Sequence, residues 1–223
     1  RDPVTGTAVG CYHGNRSTVC TGDGAGCGGQ GQSPCVMQSL SRGAGADGFQ
    51  RNFSFTSPNL DDTAWPITTL PHDPLINQSF DKAAGEGAAF LPRKVVWYRK
   101  HFVLPTILQG QHIFLYFQGA FQYSEIYLNG AHIQDHSTGY TTFTVRIDNH
   151  SSLVFGPTQA NVLAIRTDPS FGSGHWYEGG GINRPVTLVS TPHVHFVQDG
   201  VFANPATNGS TLRVLVEIED TQA

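Results

Sequence analysis

The chain has 223 residues, enough to bury a real core and, at roughly 150 residues per domain, to form one large domain or one domain and part of another. Lys and Arg total 13 against 17 Asp and Glu, a formal charge of −4, and no basic run supplies a phosphate-binding stripe, which argues against nucleic acid as a partner. No stretch approaches the roughly 20 consecutive apolar residues of a membrane-spanning helix, and no basic amphipathic helix is visible, so no membrane span is expected and a soluble protein is.

Residues 1–48 are rich in Gly, Ser and Cys, with almost no hydrophobic periodicity, and are expected to form a stapled, loop-like extension. All four cysteines, Cys11, Cys20, Cys27 and Cys35, fall in this segment, which has too little apolar content to build its own core. Two disulfides are the natural reading, with the pairing left open; zinc is the rival, although no Cys-x-x-Cys pair is present. Five Asn-x-Ser sequons, at Asn15, Asn52, Asn77, Asn149 and Asn208, lie in polar or turn-like contexts suited to glycosylation. Together these features point to the secretory pathway, for a secreted, cell-surface, lysosomal or vacuolar protein. The chain begins at Arg1 with no initiator Met and no apolar leader, as expected of a mature, processed or partly traced polypeptide.

From Phe49 onward, short apolar runs separated by Gly, Pro, Asn and Asp predict an all-β sandwich over 49–191 rather than alternating strands and helices. The clearest strands are 95–104, 112–118, 124–129, 142–147, 161–167 and 185–190. In 112–118, Ile113, Leu115 and Phe117 share one face while Phe114 and Tyr116 share the other, so a strand covered on both sides, central to a two-sheet sandwich, is expected. Asn129-Gly130 between two such runs signals a tight hairpin with positive φ. No helix of ten or more residues is predicted. Beyond Pro192, residues 193–203 and then Leu212, Val214, Val216 and Ile218 alternate as two further strands across a turn at Asn208-Gly209. They are expected to open an immunoglobulin-like sandwich over 192–223, of which the chain holds only the beginning, since such a domain takes about 100 residues.

Four segments, in order, carry a resemblance. They are Trp65 with Leu70-Pro71-His72-Asp73; Trp97-Tyr98-Arg99-Lys100 with Phe102; Ile126-Tyr127-Leu128-Asn129-Gly130 followed by Gly139-Tyr140; and Trp176-Tyr177-Glu178-Gly179-Gly180-Gly181-Ile182 with Arg184. Together, over about 60–190, they resemble the galactose-binding-like, sugar-binding jelly roll of glycoside hydrolase family 2, which includes β-galactosidases, β-glucuronidases and β-mannosidases.

Each piece also has a physical reading of its own. The Trp-Tyr-Arg-Lys strand is expected at a sheet edge under snorkelling cations. Gly139-Tyr140 reads as a loop glycine and a core or corner aromatic. Three consecutive glycines at 179–181 describe a backbone passing close to something, either the rim of a carbohydrate cleft or a tightly packed neighbour; they lack the strand-to-helix context of a nucleotide loop. Glu178 and Arg184 are expected to pair across this turn.

Sugars are recognised by flat aromatic faces and by acceptors for their hydroxyls. The candidate substrate-binding residues are therefore Asp168, Trp176, Tyr177 and Asp73. By its place before the 169–174 loop, Asp168 resembles the family's jelly-roll aspartate, which reaches into the active site of a neighbouring barrel and holds a sugar hydroxyl; the alternative is a turn-capping aspartate. Asp73, in Pro-His-Asp-Pro, either faces the same cleft or initiates a turn. The ten histidines show no metal-ligand spacing, and no metal or cofactor is expected.

Glycosidic bonds are cleaved by two carboxyl groups, about 5–5.5 Å apart in retaining enzymes, the kind the resemblance implies. In the family the acid/base is a Glu after an Asn and the nucleophile another Glu, both on a (β/α)8 barrel. This sequence has five glutamates, no Asn-Glu dipeptide and no alternating βα pattern, so no catalytic residue is expected in it. The function expected is the carbohydrate-binding N-terminal portion of a secreted, retaining, β-galactosidase-like hydrolase of O-glycosidic bonds, inactive alone, partnered by carbohydrate and by the remaining domains of the parent enzyme. The alternative is a non-catalytic carbohydrate-binding or extracellular structural module. Large sandwich faces leave room for subunit contacts.

Overall fold

The computed structural model describes residues 53–171, 176–207 and 209–220, together with the backbone of two earlier strands, β1 (Thr5–Ala8) and β2 (Cys35–Leu40). The later strands are β3 (Ile67–Thr68), β4 (Val95–Phe102), β5 (His112–Phe117), β6 (Tyr123–Leu128), β7 (Ala131–His136), β8 (Phe143–Arg146), β9 (Asn161–Asp168), β10 (Val186–Thr191), β11 (Val194–Pro205) and β12 (Leu212–Asp220). Helical structure among the described residues is confined to 3-10 turns of three or four residues.

Two antiparallel sheets form the jelly-roll sandwich, one in the order β1-β10-β5-β8 and the other β3-β2-β4-β9-β6-β7. The alternation of apolar side chains decides what lies between them. Val96, Tyr98 and Phe102 of β4, Ile126 and Leu128 of β6, and Leu163 and Ile165 of β9 face Ile113, Leu115 and Phe117 of β5 and Val186 and Leu188 of β10. Phe117 and Phe143 stack at 4.6 Å between ring centroids. The Asn129-Gly130 signal holds: φ is 50° and 88° at the two positions, and Leu128 pairs with Ala131 across the turn.

The structure departs from the expectations in three places. Within 1–48, β1 adds to β10 and β2 inserts between β3 and β4, so this segment contributes strands to both sheets instead of standing wholly apart. The short run Cys-Val-Met-Gln-Ser-Leu is a fair strand that its glycine-rich surroundings obscured. The Trp-Tyr-Arg-Lys strand is not an edge: β4 lies between β2 and β9, and all four side chains are buried. Phe114 and Tyr116 are only half-buried, because the outer face of β5 is not covered by a full layer. The outer face of the larger sheet carries charge. Arg99, fully buried, donates to Asp62 at 2.7 Å and to the Phe55 carbonyl, and the same Asp62 oxygen lies 2.8 Å from His101 Nε2. These contacts bind the 53–65 segment over that face, with Trp65 edge-on to Phe55 and Phe55 edge-on to Trp97.

Cys11, Cys20 and Cys27 lie outside the described residues, as do Asn15, Asn52 and Asn208, and Cys35 is described as backbone alone. Asn77 and Asn149 are exposed, both in turns. The β11 and β12 strands pair with each other as a two-stranded ribbon with exposed Val194, Phe202, Leu212 and Ile218.

Candidate functional site

Residues 71–75, 139–140 and 176–182 converge at one end of the sandwich. The chain entering at Pro71 is tied to the glycine turn by a bond from the His72 amide to the Ile182 carbonyl, 2.8 Å. On the other side the Phe121 amide donates to the Gly181 carbonyl at 2.8 Å. Gly181 has φ 73°, and a Cβ there would collide with the Tyr98 hydroxyl, with Pro74 Cδ at 2.7 Å and with the His72 carbonyl at 2.8 Å. Close packing against protein therefore explains this glycine. Gly139 is needed for a similar reason, since a Cβ would run into the Phe121 ring.

Beneath the turn, Tyr98 of β4 is bonded by the Ile182 backbone and lies 2.9 Å from His72 Nδ1. Burial pushes the Tyr98 phenol well above its ordinary range and pulls His72 below its own. A protonated tyrosine and a neutral histidine suit this bond, with the phenol donating to Nδ1.

The exposed side of the turn is lined by aromatics and carboxylates. Trp176 is 63% exposed and Tyr140 55%. Tyr177 donates its hydroxyl to Asp73 Oδ2 at 2.6 Å, while Asp73 Oδ1 accepts the Leu75 amide at 2.9 Å. Tyr140, edge-on to Phe121, donates to Glu178 Oε1 at 3.0 Å and is bonded by the Trp176 indole. Glu178 Oε2 lies 3.9 Å from Arg93, whose guanidinium also reaches the Gly87 carbonyl at 3.5 Å. Burial first, and then the adjoining carboxylate, raises both phenols: Asp73 acts on Tyr177 and Glu178 on Tyr140. Each carboxylate is thus an acceptor served by a phenol.

The structure brings three of the four anticipated residues, Asp73, Trp176 and Tyr177, to this rim. Asp168 is placed differently. It ends β9 two residues after Arg166, so strand periodicity puts both on the outer face of the larger sheet, Arg166 opposite Glu125 and Asp168 opposite Tyr123 of β6. The Asp168 carboxylate is fully buried, meeting Arg166 at 2.8 Å and accepting from the Ser170 amide at 2.9 Å and from the Ser170 hydroxyl. It caps the turn into the Pro169–Phe171 3-10 turn and does not point out of the sandwich. Glu178 meets Tyr140 and Arg93 in place of the expected Arg184. Tyr140 and Arg93 were not anticipated at the rim; the Gly-Tyr pair was a partial signal for the first, and nothing local marks the second. Among the described residues no group of three or more His, Cys, Asp or Glu is arranged to hold a metal.

The described residues thus form a two-sheet antiparallel β-sandwich with aromatic side chains beside carboxylates at one end. Residues 67–177 match the family described as glycosyl hydrolase 2 galactose-binding domain-like, and the chain belongs to that family. It is 32% identical over 141 residues to a beta-galactosidase from Bacteroides ovatus, covering 62% of this chain and 16% of that protein. It is 30% identical over 149 residues to a beta-glucuronidase from Formosa agariphila, covering 66% of this chain and 14% of that protein. Among solved structures, a beta-glycosidase from Bacteroides vulgatus superposes with a TM-score of 0.71 at 27% identity, over 84% of this chain and 23% of the other. The chain thus spans about a sixth of the length of the relatives it matches.

Proposed function

We propose that this chain is the non-catalytic, sugar-contacting N-terminal part of a secreted, retaining β-glycosidase of the β-galactosidase type, acting on O-glycosidic bonds through carboxylates carried elsewhere. The observation that carries this reading is the rim itself: an exposed Trp176, flanked by Tyr140 and Tyr177, beside Asp73 and Glu178 on a rigid glycine turn. Rigid aromatic faces exposed at the end of a sandwich meet the C–H face of a pyranose at little entropic cost. Relatives named beta-galactosidase and beta-glucuronidase support the class of reaction. The apolar β11–β12 ribbon supports a following immunoglobulin-like domain that covers it.

The 223-residue chain alone is expected to leave 4-nitrophenyl β-glycosides unhydrolysed. In the longest polypeptide that contains it, Trp176→Ala is expected to lower kcat/KM about tenfold, from lost ring contact, with melting temperature unchanged. Turnover by the chain alone, abolished by mutating one of its own carboxylates, would overturn the reading.

A further inference from the structure

Two segments of the rim, 71–75 and the glycine turn, are joined from below by one phenol and one imidazole. The Tyr98 oxygen accepts from the Ile182 amide, and its hydrogen goes to His72 Nδ1, 2.9 Å away. The His72 amide in turn donates to the Ile182 carbonyl at 2.8 Å, and Asp73, the next residue, accepts from Tyr177 at 2.6 Å. Protein rather than water covers this junction: Tyr98 is buried, and Gly181 packs so closely over its hydroxyl that a Cβ there would collide with it.

We propose that His72 is a positioning residue: as a neutral acceptor it holds the 71–75 segment and the glycine turn in the arrangement that presents Asp73, Trp176 and Tyr177 to a sugar, and a proton on Nδ1 releases that arrangement. The inference rests on the sugar-contacting role given to the rim above. An imidazolium donates from both nitrogens. Its Nδ1 hydrogen would point at the Tyr98 oxygen, and the phenol hydrogen would lose its acceptor in a buried place, a loss large enough to displace one of the groups. Tyr98 is anchored among the core residues of β4, so the segments above it are what move. Of the charged groups nearby, Asp73 favours the protonated ring but is outweighed by burial, and Glu178, further along the turn, is directed at Tyr140 and Arg93.

The test is to follow the 223-residue chain by NMR from pH 8 to pH 4, reading the His72 ring, the amides of Asp73, Tyr177, Gly181 and Ile182, and the affinity for methyl β-D-galactopyranoside. In the parent those amides are expected to shift in step with His72, and affinity to fall about tenfold across its midpoint. His72→Asn puts an amide oxygen where Nδ1 stood, an acceptor that does not titrate, and is expected to keep the parent's affinity at pH 8 and lose that fall. The rim carboxylates titrate in both proteins, so the difference between the two profiles belongs to the imidazole. Tyr98→Phe, which preserves the core volume, is expected to uncouple the amides from His72. Amides that stay put as His72 titrates, or a His72→Asn profile that matches the parent's, overturn the inference and leave the sugar-contacting role standing. No galactoside-induced shift at the rim at any pH overturns that role and the inference with it.

Discussion

Asp168 shows how a residue's surroundings can outweigh its position in a motif. Strand alternation puts it on the same face as Arg166, and Ser170, two residues on, satisfies its second oxygen. Arg166 is fully buried, and its Nε and Nη1 have no hydrogen-bond partner, so the Asp168 contact is its one short ion pair. Removing one member of a buried pair costs about 3–5 kcal/mol, because the other charge is left without compensation. Asp168→Ala is therefore expected to lower stability by that amount in urea unfolding. A variant as stable as the parent, with weakened sugar binding, would restore Asp168 to the rim. Gly181 is the converse case, where a residue suggestive of ligand approach is explained by the backbone passing over Tyr98.

At the scale of the element, the 53–65 segment is held on the larger sheet by Asp62 as much as by Trp65. Burial opposes ionisation of Asp62, but the hydrogen bonds from Arg99 and His101 outweigh it and hold the carboxyl below its ordinary value. A carboxyl whose folded pKa is depressed contributes stability that is fully present above its unfolded value, about 4, and is lost as pH falls through the folded value. Stability should accordingly fall below about pH 4, and Asp62→Asn should make that fall shallower while lowering stability at pH 7. Unfolding free energies measured from pH 7 to pH 2 on both proteins check the prediction; parallel profiles would remove Asp62 from the account. The same segment explains how β4 tolerates Trp97 and Arg99: a layer of chain supplies their outer cover.

At the scale of the molecule, the sandwich leads directly into the β11–β12 ribbon through a polar junction. His112 of β5 and Arg146 of β8 share Asp148, and Arg146 also lies 3.7 Å from Glu219 of β12, while His195 of β11 lies 3.6 Å from the same glutamate. The two exposed sequons among the described residues, Asn77 and Asn149, sit in turns where a bulky glycan meets no packing conflict. If the protein passes through the secretory pathway of its source as proposed, the native polypeptide should lose mass on treatment with an N-glycosidase, and peptide mapping should place glycans at one or both. A mass unchanged by the enzyme would count against that route.

Much of this architecture was legible because strands announce themselves by period. Ile113, Leu115 and Phe117 define an inner face without reference to any other strand, and Asn129-Gly130 demands a turn from backbone sterics alone. The aromatics of 176–177 and the carboxylate of Asp73 were identifiable by chemistry for the same reason: what they offer a ligand is intrinsic to the side chain. What no local pattern specifies is which distant groups a side chain meets. Arg93 reaching Glu178, Tyr140 reaching the same carboxylate 38 residues away, Tyr177 reaching Asp73 across 104 residues, and Arg99 meeting Asp62 are contacts between segments far apart in the chain. Sequence by itself determined the main strands of the sandwich, the hairpin and the aromatic and acidic chemistry of the rim. Only the tertiary structure decided that Asp168 is buried against Arg166 and that Tyr177 and Tyr140 serve the carboxylates of the rim, because these partners are ones that packing alone brings together.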